Sequence, residues 1–126
     1  MSTRSRIGIM LPDESVLSVY HHWDGYPEWL GRILKTRYNS RELAAELIDG
    51  GDMSVAWNDS DEPEYYSARG ENCPPRLDAN KYDYLADGEE YAYLFTLDGE
   101  WICYDRHQYG DQYPTIAEIP SEALAV

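Results

Sequence analysis

Apolar and polar residues alternate at the start of the chain. Ile7, Ile9 and Leu11 fall on one face of a predicted strand, and Val16-Leu17-Ser18-Val19-Tyr20-His21 is rich in β-formers again. Between them Pro12-Asp13-Glu14-Ser15 is a turn signal, so the two segments read as a hairpin. Trp23-Asp24-Gly25-Tyr26-Pro27 breaks the second strand. Asp24 reads as a helix N-terminal signal, and Pro27 suits a first helical turn, where its missing N–H costs nothing. Trp29, Leu30, Ile33, Leu34 and Tyr38 then follow the helical period. Ser40 is the expected cap of a second helix, striped by Leu43, Ala44, Leu47 and Ile48. Gly50-Gly51 ends that helix as a left-handed C-terminal cap does.

Met53–Trp57 reads as a short strand, and after it the pattern dissolves. Residues 58–89 hold Pro63, Pro74, Pro75, Gly70, Gly88 and most of the acid density, and read as an irregular acidic insertion. Structureless loops of that length are uncommon inside a domain, which makes the segment a functional candidate. Tyr91, Tyr93, Phe95 and Leu97 then alternate with Ala92, Leu94 and Thr96. Asp98-Gly99 is a two-residue hairpin signal that sets Phe95 opposite Ile102, Leu94 opposite Cys103 and Tyr93 opposite Tyr104. Both faces of this hairpin are apolar or aromatic, so it is expected at the centre of a sheet and under the helices. Thr115–Ile119 is a final edge strand closed by Pro120. The expected fold is α+β: an antiparallel sheet of about four to six strands with two helices packed on one face. The chain, residues 1–126, reads as one domain.

Composition narrows the class. Apolar residues make up 43%, and no apolar run approaches the roughly 18 residues of a membrane span. Met1-Ser-Thr-Arg-Ser-Arg6 carries no apolar signal region, so a soluble, cytoplasmic protein is expected. Cys73 and Cys103 have the spacing of neither a disulfide framework nor a metal knuckle. Net charge is −14, and it is unevenly spread. Residues 1–48 balance six basic against six acidic groups, whereas residues 49–126 carry 18 acids against Arg69, Arg76, Lys81 and Arg106. Such a surface repels nucleic acid and attracts proteins with basic clefts. Nine of the twelve tyrosines lie at or after Tyr65, among those acids. Tyrosine supplies contact area with a polar tip, and it is enriched at binding surfaces. The expected partner surface is therefore Asp59, Asp61, Glu62, Glu64, Asp83, Asp87, Glu89 and Glu90, anchored by Tyr65, Tyr66, Tyr82 and Tyr84.

His21-His22-Trp23-Asp24-Gly25-Tyr26-Pro27 is the densest cluster of functional side chains. A strand sends His21 and His22 to opposite faces, so the two do not share a metal. His22 and Asp24, with His107 as a distant third ligand, would be a metal-dependent hydrolase site, but the ligand spacing of known motifs is missing. A structural turn or a recognition loop fits the string better. Cys103 lies in a predicted buried strand, and nothing activates Cys73. Asn58–Glu62 lacks the glycine and late glutamate of a calcium loop. Eight of the ten basic residues are arginine, suited to phosphate. Trp23 or Tyr26 stacking a base, with Arg6, Arg32 or Arg37 on phosphates, would make a sponge for a small nucleotide signal. No cofactor is expected.

Residues 4–25, from Arg-Ser-Arg-Ile-Gly-Ile to Tyr-His-His-Trp-Asp-Gly-Tyr-Pro, resemble a family of small proteins encoded by tailed bacteriophages and prophages. The likeness continues at Tyr38-Asn39 and Glu46–Ser54 and more weakly at Glu90–Phe95. Its members tend to read Pro-Asp-Gly at the first turn, where this chain has Glu14. The resemblance implies an origin in phage and a location in the bacterial host cytoplasm. Small acidic phage proteins often act by occupying a host protein, such as a CRISPR effector, restriction enzyme, nuclease or polymerase. The leading expectation is thus a binding protein, monomer or homodimer, that inhibits such an enzyme by occluding a basic cleft. Direct contact with nucleic acid or membrane is not expected.

Overall fold

The computed structural model describes residues 3–58, 60–86, 89–105 and 115–119. Strands β1 (Ser5–Met10) and β2 (Val16–His21) pair antiparallel, from Ser5 opposite His21 to Met10 opposite Val16. Their turn closes with the Leu11 N–H on the Ser15 carbonyl, while the Asp13 carboxylate accepts from the Ser15 N–H and hydroxyl. That geometry needs a left-handed residue third in the loop, and Glu14 supplies it at φ 69°. An L side chain in that conformation is strained. Glu14→Gly is expected to raise stability by on the order of 0.5–1 kcal/mol. A lower urea midpoint for the variant would contradict this account.

Beyond β2 the chain enters a π-helical turn (Pro27–Gly31) that runs into α1 (Arg32–Arg37), with Pro27 in the first turn as expected. Asp24 does not cap this helix. Extended Tyr26 holds the cap position, and Asp24 makes a left-handed reversal at φ 53°. Ser40 does cap α2 (Arg41–Asp49), its hydroxyl accepting from the Leu43 N–H at 3.2 Å. Gly51 takes the left-handed position after that helix at φ 88°. The helices form a crossover, so β3 (Met53–Val55) pairs parallel with β2 through His21 and Met53.

The segment expected to be irregular holds short elements. These are β4 (Glu64–Tyr65), a 3₁₀ turn (Tyr66–Arg69), β5 (Arg76–Asp78) and α3 (Lys81–Ala86). None exceeds six residues, too few for a hydrophobic period to register. Strands β6 (Tyr91–Phe95), β7 (Trp101–Asp105) and β8 (Thr115–Ala117) follow. The sheet runs β4-β3-β2-β1-β6-β7-β8, with β5 also paired to β2. It is mixed rather than antiparallel, since β1 and β6 are parallel neighbours too.

The β6–β7 hairpin has a different register from the one its sequence suggests. Thr96 and Glu100 close a three-residue loop with Gly99 left-handed at φ 83°, the same geometry as the first turn. Phe95 therefore faces Trp101, Leu94 faces Ile102 and Tyr93 faces Cys103. A one-residue slip exchanges the faces of β7. Trp101 and Cys103 join Ile7, Ile9, Tyr93 and Phe95 under α1 and α2. Ile102 and Tyr104 turn to the opposite face, where α3 supplies Tyr84 and Leu85 to a second core with Val16, Ala92 and Leu94. Both faces of the sheet are thus covered, not one. Among the described residues no helix is long and apolar enough to cross a membrane.

Candidate functional site

Helix α2 buries Ala44, Leu47 and Ile48 and turns Glu42, Glu46 and Asp49 to solvent. These acids are spaced i, i+4, i+7, so they line one face. Sequence reasoning passed over them because Arg32, Lys35, Arg37 and Arg41 neutralise that half of the chain in a linear count. The helical spacing was the available signal. Their neighbour is the segment that leads into β4, where Asp61, Glu62 and Glu64 are exposed. Two hollows flank Glu46 and Asp49. One of about 460 Å³ is lined by Tyr38, Leu43, Pro63 and Tyr65 as well, and one of about 480 Å³ is floored by Ile9, Leu11 and Leu17.

Tyr65 is half-buried between the two elements. Its hydroxyl donates to the Leu47 carbonyl at 2.6 Å, satisfying one of the free carbonyls near the end of α2. Its ring fills the space that a Cβ at Gly50 would need. Burial, then Tyr38 and the Glu46 and Asp49 carboxylates, push its pKa up to about 12. It anchors β4 to α2 and offers a partner only its outer edge. Asp61, at φ 61°, accepts from the Trp57 indole N–H at 2.8 Å, and Arg37 stacks over Trp57 at 4.5 Å.

The other predicted acids lie elsewhere. Asp83 is on α3, which covers the face of the sheet away from α2, and Glu89 and Glu90 precede β6. Tyr82 is 64% exposed beside Lys81, but Tyr84 is fully buried and donates its hydroxyl to the Tyr93 carbonyl at 2.6 Å. Tyr84 is a core residue, a correction to its expected role as an anchor. Tyr66 is half-buried against Arg69, 5.3 Å from guanidinium to ring centre. Asp59 and Asp87 lie outside the described residues.

The histidines split between faces as expected. His21 is fully buried beside Trp29, and its Nε2 accepts from the Ala56 N–H at 3.0 Å. His22 Nδ1 hydrogen-bonds the Tyr20 hydroxyl at 2.7 Å, and Trp23 packs edge-on against the His22 ring at 4.6 Å. Gly25 fixes the loop by donating to the Thr3 carbonyl and accepting from the Tyr93 hydroxyl. Arg37 is taken up by Trp57, and Arg32 sits at the start of α1 with its Nε buried and without a hydrogen-bond partner among the described residues. Neither joins Trp23, so the predicted loop-and-arginine site is not assembled from those two. Asp24 is exposed and Tyr26 leads into the helix.

Among the described residues no three His, Cys, Asp or Glu side chains are placed to hold a metal, and His107 lies outside them. Cys103 is buried, and burial pushes its thiol up to about 12, the opposite of an activated nucleophile. Compared with known proteins, the chain matches no family model, no curated protein and no solved structure.

Proposed function

We propose that this chain is a binding protein that docks the acidic α2–β4 surface onto a basic partner. The observation that supports this reading most is that Glu46 and Asp49 line two partly apolar hollows, one closed by Pro63 and Tyr65 beside the exposed Glu62 and Glu64, the other shared with Arg41. Apolar floor inside a polar rim is the layout of a protein interface. The rim charges steer encounter with a cationic surface and reject like-charged competitors. A cleft that normally holds nucleic acid offers the complementary charge. The likeness to phage proteins supplies the partner class: a host defence or nucleic-acid-processing enzyme, inhibited by occlusion.

Capture from a bacterial lysate, followed by competition against DNA or RNA for the purified partner, tests this. A partner that binds either this chain or nucleic acid, and releases the chain as salt rises, is the expected result. Reversing Glu46, Asp49, Glu62 and Glu64 to lysine is expected to weaken binding by roughly 100-fold, with the circular dichroism spectrum unchanged. Undiminished affinity in a folded variant rules out this surface.

A further inference from the structure

Glu46 and Asp49 stand three residues apart on α2, and each lines both of the hollows beside that helix. That spacing sets two carboxylates on one helical face, within reach of one bound group. Neither makes an ion pair among the described residues. The two hollows differ in charge. The one floored by Ile9, Leu11 and Leu17 has Arg41 in its wall, whereas the one bounded by Tyr38, Leu43, Pro63 and Tyr65 has no basic residue in its wall. The cations close by are engaged elsewhere. Arg41 donates to the Thr96 carbonyl at 3.3 Å and lies 5.7 Å from the Phe95 ring, and Arg37 stacks over Trp57.

The rest of that second wall is aromatic and aliphatic. Leu43 is 40% exposed, and Tyr38, Pro63 and Tyr65 are half-buried. The Tyr38 hydroxyl donates to the Ala56 carbonyl at 2.9 Å, and the Tyr65 hydroxyl donates to the Leu47 carbonyl. With both hydroxyls satisfied by the backbone, the tyrosines contribute ring surface to the hollow. Burial raises the pKa of both; Arg37 opposes the rise at Tyr38, and Glu46 adds to it at both rings. The Glu46 charge is therefore felt from two sides of the hollow. At about 460 Å³ the space has the size of a small-ligand site, ample for one long side chain.

We infer that this hollow is the seat for an arginine side chain of the partner, held by Glu46 and Asp49 against Leu43, Pro63 and the two tyrosine rings. The guanidinium fork matches carboxylate oxygens, and its weakly hydrated plane stacks on aromatic rings. The aliphatic stem covers the apolar wall while the charged head stays at the acidic rim. Lysine has the stem and the charge but neither the fork nor the plane. The chain uses the same combination internally, where Arg37 lies over Trp57 and Asp61 holds the indole N–H. Surfaces that hold phosphate backbones present arginine, so the occupant agrees with the partner class. The inference rests on the α2–β4 docking reading and names the side chain that this docking selects.

The test is a nuclear magnetic resonance titration of the isotope-labelled full chain with two Gly-Ser peptides of equal length and charge, one carrying three arginines and the other three lysines. The arginine peptide is expected to bind roughly fivefold tighter and to shift the amide signals of Leu43, Gly50 and Tyr65. Glu46→Gln combined with Asp49→Asn is expected to weaken it roughly tenfold, whereas Asp83→Asn, on the opposite face, changes it less than about twofold. Leu43→Ser keeps every charge and is expected to erase the preference for arginine. Melting curves check that each variant is folded. Equal affinity for the two peptides, shifts confined to signals outside the hollow, or a Leu43→Ser variant that still prefers arginine would overturn the seat. If neither peptide binds while a captured partner is still displaced by nucleic acid, the seat falls and the docking reading stands. If neither the peptides nor a partner bind, both fall.

Discussion

Lowering the pH from 7 towards 3 is expected to cost this fold several kcal/mol through one side chain, His21. It is fully buried on the helix-covered face, opposite Ser5 on β1 and at the point where β3 joins β2. Burial, reinforced by neighbouring His22, lowers its pKa from 6.5 to about 3. Its Nε2 must be unprotonated to accept from Ala56, which places the ring proton on Nδ1, an atom with no hydrogen-bond partner among the described residues. The unfolded chain takes up a proton near pH 6.5 that the folded chain refuses until about pH 3. Stability is therefore complete above pH 6.5 and falls as pH drops through that window, by up to about 1.4 kcal/mol per unit. The full window is worth on the order of 4–5 kcal/mol, a large share of a domain's usual stability. Urea unfolding between pH 7 and pH 4 measures the slope directly. His21→Met is expected to be less stable at pH 7, because the Ala56 N–H loses its acceptor, yet to show a flatter pH dependence. Equal slopes for the two proteins would mean that carboxylates, not His21, govern acid unfolding.

What the sequence disclosed follows from the range of each signal. Local, periodic features were legible: the alternation of β1 and β2, the Ser40 cap, the Gly50-Gly51 stop and the apolar stripe of α2. The β6–β7 hairpin was legible but its register was not, because Asp98-Gly99 fits both a two-residue turn and the end of a three-residue loop. The pairing of Phe95 with Trp101, whose rings meet at 5.2 Å, distinguishes them. The parallel pairing of β1 with β6 joins residues more than eighty positions apart, and nothing local in either strand announces it. The elements of 58–89 are too short to show a period, and they are held by partners outside the segment. Tyr65 bonds to α2, Arg76–Asp78 pairs with β2, and Tyr84 reaches β6. For the same reason a linear count of charge could not find the α2–β4 surface, which joins acids from both halves of the chain.

Removing the Tyr84 ring is the substitution expected to damage the fold most. Helix α3 places Tyr82 and Tyr84 on different faces, one mostly exposed and the other with no accessible surface. The Tyr84 ring lies over Gly8 of β1, so closely that a Cβ there would meet its Cζ at 3.0 Å and Val16 at 2.9 Å. Glycine in a central strand marks such a close approach. Tyr84→Ala is expected to cost about 3–5 kcal/mol, because the second core loses its largest member and α3 its anchor. Tyr84→Phe, which keeps the ring and loses the hydroxyl bond to the Tyr93 carbonyl, is expected to cost about 1–2 kcal/mol. Gly8→Ala alone should destabilise through the clash with the ring. In combination with Tyr84→Ala most of that penalty should vanish, since the added methyl then enters vacated space. Urea melts of the four proteins give the coupling, and additive losses would show that Gly8 and Tyr84 do not share this space. Because α3 and α2 cover opposite faces, Tyr84→Phe should also leave binding at the α2–β4 surface unchanged under conditions where the protein is folded. A variant that weakens the fold and one that weakens docking would then be separable.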